Sequence, residues 1–284
     1  MSQTMIVVPC YNEELRLPVE RFRQFVASRP DVRFLMVNDG STDGTLARLE
    51  WLKAIDPDHF LILNLQRNVG KAEAVRQGCC AAFELQPEYV GYWDADLAAP
   101  LEAVPRYLDI LDRRPDIDLV IGTRLPLLGH AVERSTLRWL LGRVFAWSAA
   151  AVLGLRIQDT QCGHKVFRSS PRLRQVFQTR FHARWIFDVE LFARWIGRRN
   201  QDCLRHARDT IFELPLEAWR DVAGSKLKPL DFPRAFLELA NIARVYLTAP
   251  RIPIPEVVDG IEPLTAIPFT AIEDPVALER PRAA

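Results

Sequence analysis

Short apolar runs alternate with segments of helical spacing through the first 125 residues of the chain. The apolar runs predict β-strands at residues 5–8, 33–37, 60–65, 89–93 and 119–122. The segments between them predict helices at residues 18–28, 45–55, 71–85 and 101–113. Strands that alternate with helices predict an α/β fold, with a mostly parallel sheet of the Rossmann type and helices on both of its faces.

The pattern becomes less regular after residue 125. It predicts helices at residues 135–155, 188–198 and 232–246, and a strand near residues 210–216. From residue 250 onward the chain contains seven prolines and no lysine, and it shows little periodicity. We therefore expect one domain made of two halves, residues 1–125 and 126–249, followed by an irregular, proline-rich tail at 250–284.

Composition narrows the class of protein without identifying it. A hydrophobic content of 49% and a charged content of 26% are typical of a globular domain. The net charge of +1 gives no support for non-specific binding to nucleic acid, which needs a basic excess. The five cysteines lack the spacing of a metal-binding finger, so we expect reduced thiols in a cytoplasmic protein.

One segment, residues 137–155, approaches the length and apolarity of a membrane-spanning helix. Arg138 and Arg143 interrupt it within its first two turns. We therefore expect a helix packed in the core or, as the alternative, one lying at a membrane interface, which Trp139 and Trp147 would suit. Residues 1–4 lead directly into the first strand, and we expect no signal sequence there.

Polar clusters directly follow three of the predicted strands. Asp94 and Asp96 come after the fourth strand, and the clusters at residues 9–13 and 38–41 follow the first and second. Because parallel strands end at the same edge of a sheet, these clusters should converge where such sheets bind ligands. Two close carboxylates repel each other, and Mg²⁺ or Mn²⁺ would resolve the conflict. The alternative is a pair of solvated turn aspartates.

The segment at residues 38–45 predicts a turn from strand to helix, with Ser41, Thr42 or Asp43 as the helix N-cap. Asp39 lies at the end of the strand, where its carboxylate could accept a hydrogen bond from a nucleotide base or a ribose hydroxyl. Neither GxxxxGK[ST] nor GxGxxG occurs in the chain, which argues against these two phosphate-binding loops.

The order of these motifs resembles the family 2 glycosyltransferases. The shared motifs are PCYNE at 9–13, NDGSTDG at 38–44, NVGK at 68–71 and DAD at 94–96. Four later motifs are similar to the dolichyl-phosphate β-glucosyltransferase branch: GTR at 122–124, DTQCGHK at 159–165, RWIFDVE at 184–190 and GSK at 224–226. The resemblance implies a GT-A fold, a nucleotide-sugar donor (UDP-glucose first), Mg²⁺ or Mn²⁺, and a polyprenyl or dolichyl-type phosphate acceptor. Residues 1–125 would then bind the donor and residues 126–249 the acceptor.

The resemblance also implies roles for residues on the donor side. Pro9, Tyr11 and Glu13 would line the nucleotide site, and Asp39 would contact the uracil or ribose. Lys71 would approach the base or the diphosphate.

Asp94 would touch the ribose or a metal-bound water, and Asp96 would be the direct metal ligand. Arg124 and Lys165 would offer positive charge to phosphate groups, since the leaving nucleoside diphosphate gains negative charge in the transition state.

The acceptor decides whether a side-chain base is needed. Family 2 enzymes invert the anomeric centre by one in-line displacement, and a lipid phosphate is already an anion that needs cations such as Arg124, Arg134 and Lys165. A sugar hydroxyl would need a carboxylate base, for which Asp188 is the first candidate and Asp159 the second. The alternative for both acids is helix-dipole stabilisation.

Two further functions compete with this interpretation: a relative that uses GDP-mannose, and a catalytically inactive protein that binds a sugar nucleotide. A nucleotidyltransferase would carry a glycine- and lysine-rich N-terminal loop, which the cluster at 9–13 is not. His164 departs from the branch, which usually has an aromatic residue such as Phe there. An imidazole at that position could stack, read a different acceptor or titrate near neutral pH. No N-terminal membrane anchor of the kind found in eukaryotic members of the branch is expected.

Overall fold

The computed structural model describes residues 3–125, 131–133, 136–197, 201–220 and 231–247. These residues belong to one compact unit, Met1–Thr248. The expected tail at 250–284, the GSK motif at 224–226 and Arg134 lie outside the described residues.

A seven-stranded sheet in the order β3-β2-β1-β4-β7-β5-β8 forms the centre of the unit, and a separate parallel pair joins β6 and β9. The strands in chain order are β1 (Thr4–Cys10), β2 (Val32–Asp39), β3 (Phe60–Leu65), β4 (Tyr89–Tyr92), β5 (Leu119–Thr123), β6 (Ala131–Glu133), β7 (Lys165–Arg168), β8 (Ile211–Pro215) and β9 (Ala218–Arg220). All neighbours in the large sheet are parallel except β7, which runs antiparallel to both β4 and β5.

Helices cover the sheet. In chain order they are α1 (Val19–Ser28), α2 (Thr45–Ile55), α3 (Lys71–Glu84), α4 (Val104–Arg113), α5 (Thr136–Leu153), α6 (Pro171–Gln178), α7 (Phe187–Ile196), α8 (Gln201–Thr210) and α9 (Asp231–Ile242). A short 3₁₀ helix, Leu101–Ala103, precedes α4, and a π-helical turn, Ala243–Leu247, follows α9.

Alternate residues of the central strands face two separate cores, as the period of a β-strand requires. Val7 belongs to the core under α3, whereas Ile6 and Val8 belong to the core on the opposite face, under α1 and α2. Gly78 lets α3 approach closely, because a Cβ there would lie 2.4 Å from Cγ1 of Val7. The predicted α/β fold, mostly parallel with helices on both faces, is confirmed.

The elements differ from prediction mainly in the second half. The sequence pattern missed β7, because only four residues form it and a polar stretch precedes it. It also missed α6, although Ser170 and Pro171 are a helix-start signal and the Ser170 hydroxyl accepts a hydrogen bond from Leu173 N at 3.1 Å. Helix α8 was missed as well.

Helix α5 has one buried and one exposed face where its side chains are described. Phe145 and Ala149 are buried, whereas Val144 is 44% and Trp147 63% exposed. Among the described helices, none combines the length and apolarity needed to cross a membrane. The inner face of α5 therefore packs in the core as expected, and its outer face does not.

Candidate active site

The loops that follow β1 and β2 are joined by hydrogen bonds. Asn12, whose φ of 52° is in the left-handed region, accepts at Oδ1 from Thr42 N (2.9 Å), and Asn12 N donates to the Ser41 hydroxyl (3.1 Å). Glu13 N donates to the Thr45 hydroxyl at 2.8 Å. The motifs at 9–13 and 38–44 thus form one platform at the carboxyl ends of two neighbouring parallel strands, as the sequence predicts.

The predicted nucleotide-binding residues occupy this platform in different ways. Pro9 lies in β1 and Tyr11 directly follows it, and both are partly exposed. The Glu13 side chain is buried and forms an ion pair with Arg16, one turn further along. Their nucleotide contacts remain predictions.

Asp39 anchors the loop that leads into α3. Its two carboxylate oxygens accept hydrogen bonds from Val69 N at 2.7 Å and Gly70 N at 3.0 Å. Gly70 has a φ of 90°, a conformation that favours glycine, and Lys71 follows as the first residue of α3. Asp39 therefore positions Lys71 at the same sheet edge, whatever its contact with a nucleotide.

Asp94 and Asp96 follow β4 at the centre of this edge. Lys71 Nζ lies 2.5 Å from Asp94 Oδ1, and Asp96 Oδ1 accepts a hydrogen bond from Ala98 N at 3.1 Å. Burial raises the pKa of Asp96, and the charge of Asp94 raises it further. Burial also acts to raise the pKa of Asp94, but the charge and hydrogen bond of Lys71, together with other nearby positive groups such as Arg124, outweigh it and the pKa falls below its ordinary value.

The aspartate pair fits a divalent cation. The charge of Asp94 disfavours ionisation of Asp96, and a cation would relieve this repulsion. Within the described residues there is no cluster of three or more His, Cys, Asp or Glu side chains suited to a metal. Such a pair matches Mg²⁺ or Mn²⁺ sites that keep waters and substrate phosphates as the other ligands.

The turn at residues 159–165 covers Asp94. A Cβ at Gly163 would lie 2.1 Å from Asp94 Oδ2, so only glycine permits this approach of the backbone to the carboxylate. Sequence reasoning did not single out Gly163.

Lys165 and Asp188 form a buried ion pair next to this turn. Lys165 Nζ lies 2.5 Å from Asp188 Oδ1, and the same oxygen accepts from the Tyr92 hydroxyl at 2.5 Å. The Lys165 ammonium also donates to the carbonyls of Cys162 (2.6 Å) and Thr160 (3.3 Å). Tyr92 and Lys165 are register partners in β4 and β7, which explains why they meet at the end of β4.

This arrangement corrects the expected placement of Lys165. The resemblance implies that Lys165 offers positive charge to phosphate groups, whereas Lys165 begins β7 and its side chain is fully buried. Three acceptors take the three protons of its ammonium group. Tyr92, an apolar strand residue by its pattern, carried no signal for this contact.

Arg124 and Asp159 form a second partly buried ion pair. The guanidinium Nε and Nη2 lie 2.6 and 2.8 Å from the two Asp159 oxygens, and Arg124 N donates to Oδ2 at 3.1 Å. Burial acts to lower the pKa of Arg124, but Asp159 outweighs it and the pKa rises. The guanidinium also stacks 5.3 Å from the centroid of the Trp219 ring, a contact that sequence reasoning missed.

His164 packs in the core next to the site. Its ring centroid is 4.6 Å from that of Trp93, and its Nδ1 lies 3.3 Å from Cys162 Sγ. Burial lowers the pKa of His164 to about 3, so the imidazole is neutral at pH 7. The lowered pKa contradicts the expectation that it could titrate near neutral pH, and its ring meets that of Trp93 in a tilted geometry, at an interplanar angle of 53°.

The chain is similar to glycosyltransferases whose names refer to dolichyl or polyprenol phosphates. The dolichyl-phosphate beta-glucosyltransferase of Dictyostelium discoideum is 29% identical over 187 residues, which are 61% of this chain and 56% of the relative. The polyprenol monophosphomannose synthase of Mycolicibacterium smegmatis is 30% identical over 167 residues, 59% of this chain and 62% of the relative. The chain thus spans less than two thirds of these two proteins. For the dolichyl-phosphate beta-glucosyltransferase ALG5A of Trichomonas vaginalis, the match is 31% identical over 251 residues, 84% of this chain and 72% of the relative.

Solved structures agree on the fold. Glucosyl-3-phosphoglycerate synthase from Mycobacterium tuberculosis superposes with a TM-score of 0.58 at 18% identity, covering 86% of this chain and 80% of the synthase. The same enzyme has been solved in complex with Mn²⁺, UDP and glucosyl-3-phosphoglycerate. This likeness supports the GT-A fold and, at that identity, nothing more specific.

The family model for glycosyl transferase family 2 matches residues 5–181, which is more than half of the chain and includes the strand-end motifs and the aspartate pair. The resemblance deduced from the motif order is therefore confirmed, and the chain belongs to glycosyl transferase family 2, an enzyme family, and resembles its dolichyl-phosphate β-glucosyltransferase branch.

Proposed function

We propose that this chain is an inverting, divalent-metal-dependent enzyme that transfers a hexose from a nucleotide-sugar, UDP-glucose first, to the phosphate of a polyprenyl-type lipid. The choice of a phosphate acceptor rests on one observation: each of the two candidate bases is engaged by a positively charged side chain. Asp188 is held by Lys165 and Tyr92, and Asp159 by Arg124. A lipid phosphate is an anion at neutral pH and needs no base, whereas a sugar hydroxyl does.

The donor side supports a nucleotide-sugar. Asp96 and Asp94 would hold the metal, which would neutralise charge on the leaving diphosphate. Lys71 is 44% exposed, so its ammonium group could turn from Asp94 toward that diphosphate. Pro9, Tyr11, Glu13 and Asp39 would shape the nucleotide site between the first two strand ends. Residues 1–125 would thus serve the donor and residues 126–249 the acceptor.

An apolar outer face supports contact with a lipid surface. It consists of five exposed side chains: Val144, Trp147, Trp185, Phe236 and Leu237. They lie on elements that touch one another, since the rings of Phe145 and Phe236 are 5.8 Å apart and Glu238 binds the backbone at 184–186. Arg143 lies over the Trp147 ring at 5.4 Å, a pairing suited to an anionic interface. A cytoplasmic protein with this face would bind membranes peripherally.

A transfer assay tests the proposed function. Purified protein would receive radiolabelled UDP-glucose, UDP-galactose or GDP-mannose with Mg²⁺ or Mn²⁺, and either polyprenyl phosphate in detergent micelles or a soluble saccharide. We expect a metal-dependent, lipid-extractable product from UDP-glucose. Transfer to the saccharide alone would refute the proposed lipid-phosphate acceptor. Transfer from GDP-mannose alone would refute UDP-glucose as the proposed donor.

Sedimentation with vesicles tests the outer face. We expect wild-type protein to sediment with vesicles that contain anionic lipid, and a Trp147→Ala, Leu237→Ala variant to stay in the supernatant. Trp51→Ala is the control, because Trp51 is 49% exposed but lies on α2, outside the outer face. Equal sedimentation of wild type and the double variant would rule out this face as the contact.

A further inference from the structure

The N-terminus of α7 is held by a carboxylate from α9. Glu238 Oε1 accepts a hydrogen bond from Arg184 N (3.2 Å), and Oε2 accepts from Trp185 N and Ile186 N (both 3.1 Å). The Ile186 amide belongs to the N-cap residue of α7, and the other two amides directly precede it. The N-terminal amides of a helix have no partner within it, so the Glu238 carboxylate caps the helix start. Ile186, the N-cap residue, has no side-chain hydrogen bond of its own, so the cap comes from 52 residues away.

This cap lies two residues before Asp188, at the site's buried ion pair. Asp188 is the second residue of α7, and its Oδ1 contacts both Lys165 Nζ and the Tyr92 hydroxyl at 2.5 Å. Tyr92 is the last residue of β4, two positions before Asp94. A displaced helix start would break both short contacts and loosen the end of β4 and the turn that covers Asp94.

A second contact from the same C-terminal segment points the same way. The Tyr246 hydroxyl donates to Glu190 Oε1 at 2.7 Å, and Glu190 Oε2 accepts from Ala183 N at 2.7 Å. Arg194 completes this group, with Nη2 2.7 Å from Glu190 Oε1. Hydrogen bonds from the segment after residue 231 therefore hold both the residues that precede α7 and the first turn of that helix.

Helix α9 is anchored well enough to act as a support. Ala235, Leu239 and Ile242 are buried against the core, whereas Phe236 and Leu237 face outward. Glu238 lies between these two faces, and its carboxylate reaches α7 rather than solvent.

We propose that Glu238 is a positioning residue, which holds the start of α7 so that Asp188 keeps Lys165 and Tyr92, and through them the Asp94 edge, in the geometry for transfer. Its described hydrogen bonds go to the backbone at 184–186 and to neither the aspartate pair nor Lys71. The turnover part of this inference rests on the proposed function, whereas the structural part does not.

The test compares Glu238→Ala and Glu238→Gln with wild type. Hydrogen exchange of peptides covering residues 183–190 reports the cap directly, and we expect about a tenfold or greater increase in exchange for Glu238→Ala. In the assay with UDP-glucose and polyprenyl phosphate, we expect kcat to fall by about 10- to 100-fold, with the KM for UDP-glucose within about twofold of wild type. Glu238→Gln keeps one acceptor oxygen and should recover part of both effects.

Arg234→Ala is the matched control, because Arg234 is an exposed residue of the same helix. It should change neither measurement, and exchange in β1 and α3 should stay constant in all variants. Unchanged exchange at 183–190 in Glu238→Ala, or raised exchange with normal kcat, would overturn the inference. Absence of any transfer by wild type would refute the proposed function instead, and the exchange result would still decide whether Glu238 holds α7.

Discussion

Two lysine–aspartate pairs with the same 2.5 Å separation lie on the two sides of the candidate site, and their surroundings differ. On the proposed donor side, Lys71 is 44% and Asp94 28% exposed. On the proposed acceptor side, Lys165 is 0% and Asp188 5% exposed. An exposed pair contributes little to stability and can exchange partners, whereas a buried pair is costly to break because each charge is left without water.

This difference in burial separates a lysine suited to binding a ligand, Lys71, from a lysine that supports the fold, Lys165. In the proposed function, Lys71 would leave Asp94 for the donor diphosphate, and solvent and the metal would take its place. If Lys165 left Asp188, the buried carboxylate would lose its charged partner. The charge of Lys165 therefore serves to join β4, β7, α7 and the 159–165 turn. A motif-based comparison treats both lysines as cations for phosphate, and burial distinguishes them.

The largest expected effect concerns the aspartate pair itself. Asp96→Ala should reduce transfer by at least about 10³-fold, because the proposed metal would stabilise the leaving diphosphate. Its free energy of unfolding should stay within about 1 kcal/mol of wild type, as is usual for a partly exposed position. Turnover with Mn²⁺ and thermal melting would be measured together, and full activity would refute the metal assignment.

Lys165→Met should be the variant that most reduces stability. It leaves the Asp188 carboxylate buried with only Tyr92 as its described partner, and removing one member of a buried pair costs about 3–5 kcal/mol. Urea denaturation measures the loss. The double variant Lys165→Met, Asp188→Asn should recover much of it, because the carboxamide oxygen introduced at position 188 can still accept from Tyr92 and no charge is buried alone.

The double variant also tests the acceptor. With a phosphate acceptor, transfer should fall about as far as in Glu238→Ala, by about 10- to 100-fold, since the contacts that position the Asp94 edge are weakened but no base is lost. A loss far beyond that of Glu238→Ala, on the order of 10⁴-fold in a folded protein, would identify Asp188 as a base and favour a hydroxyl acceptor.

Lys71→Met should show the opposite pattern to Lys165→Met. We expect stability within about 1 kcal/mol of wild type, because an exposed pair contributes little. The KM for UDP-glucose should rise by about tenfold, the equivalent of about 1.4 kcal/mol, as a cation near the diphosphate is lost. Urea denaturation and initial-rate kinetics distinguish the two lysines. Equal destabilisation by both variants would refute the proposed difference between the exposed and the buried pair.

The smallest effect at neutral pH is expected for His164→Phe. Because burial lowers the pKa of His164 from 6.5 to about 3, the unfolded chain takes up a proton in this range before the folded chain does. Stability should therefore fall as pH drops from 6.5 toward 3, by up to about 1.4 kcal/mol per pH unit from this residue. His164→Phe should flatten that part of the stability curve, and an unchanged slope would contradict the buried, neutral imidazole.

The sequence alone determined the fold class, the sheet edge and the family. These follow from local patterns: alternating strands and helices, polar clusters directly after strands, and motifs of a few adjacent residues. The clusters at 9–13 and 38–41 and the aspartate pair lie at one edge of the sheet, as predicted, because parallel strands end there. Strand β7 escaped prediction since its few residues have no independent periodic signal.

Only the tertiary structure decided which charges face substrate and which hold the fold together. Tyr92 and Asp188 are 96 residues apart, Arg124 and Asp159 are 35 apart, and Glu238 caps a helix that begins 51 positions earlier, at Phe187. The sequence does not distinguish a charged residue that is solvated from one that is paired in the interior. Its role depends on the dielectric environment and the partners that folding brings to it.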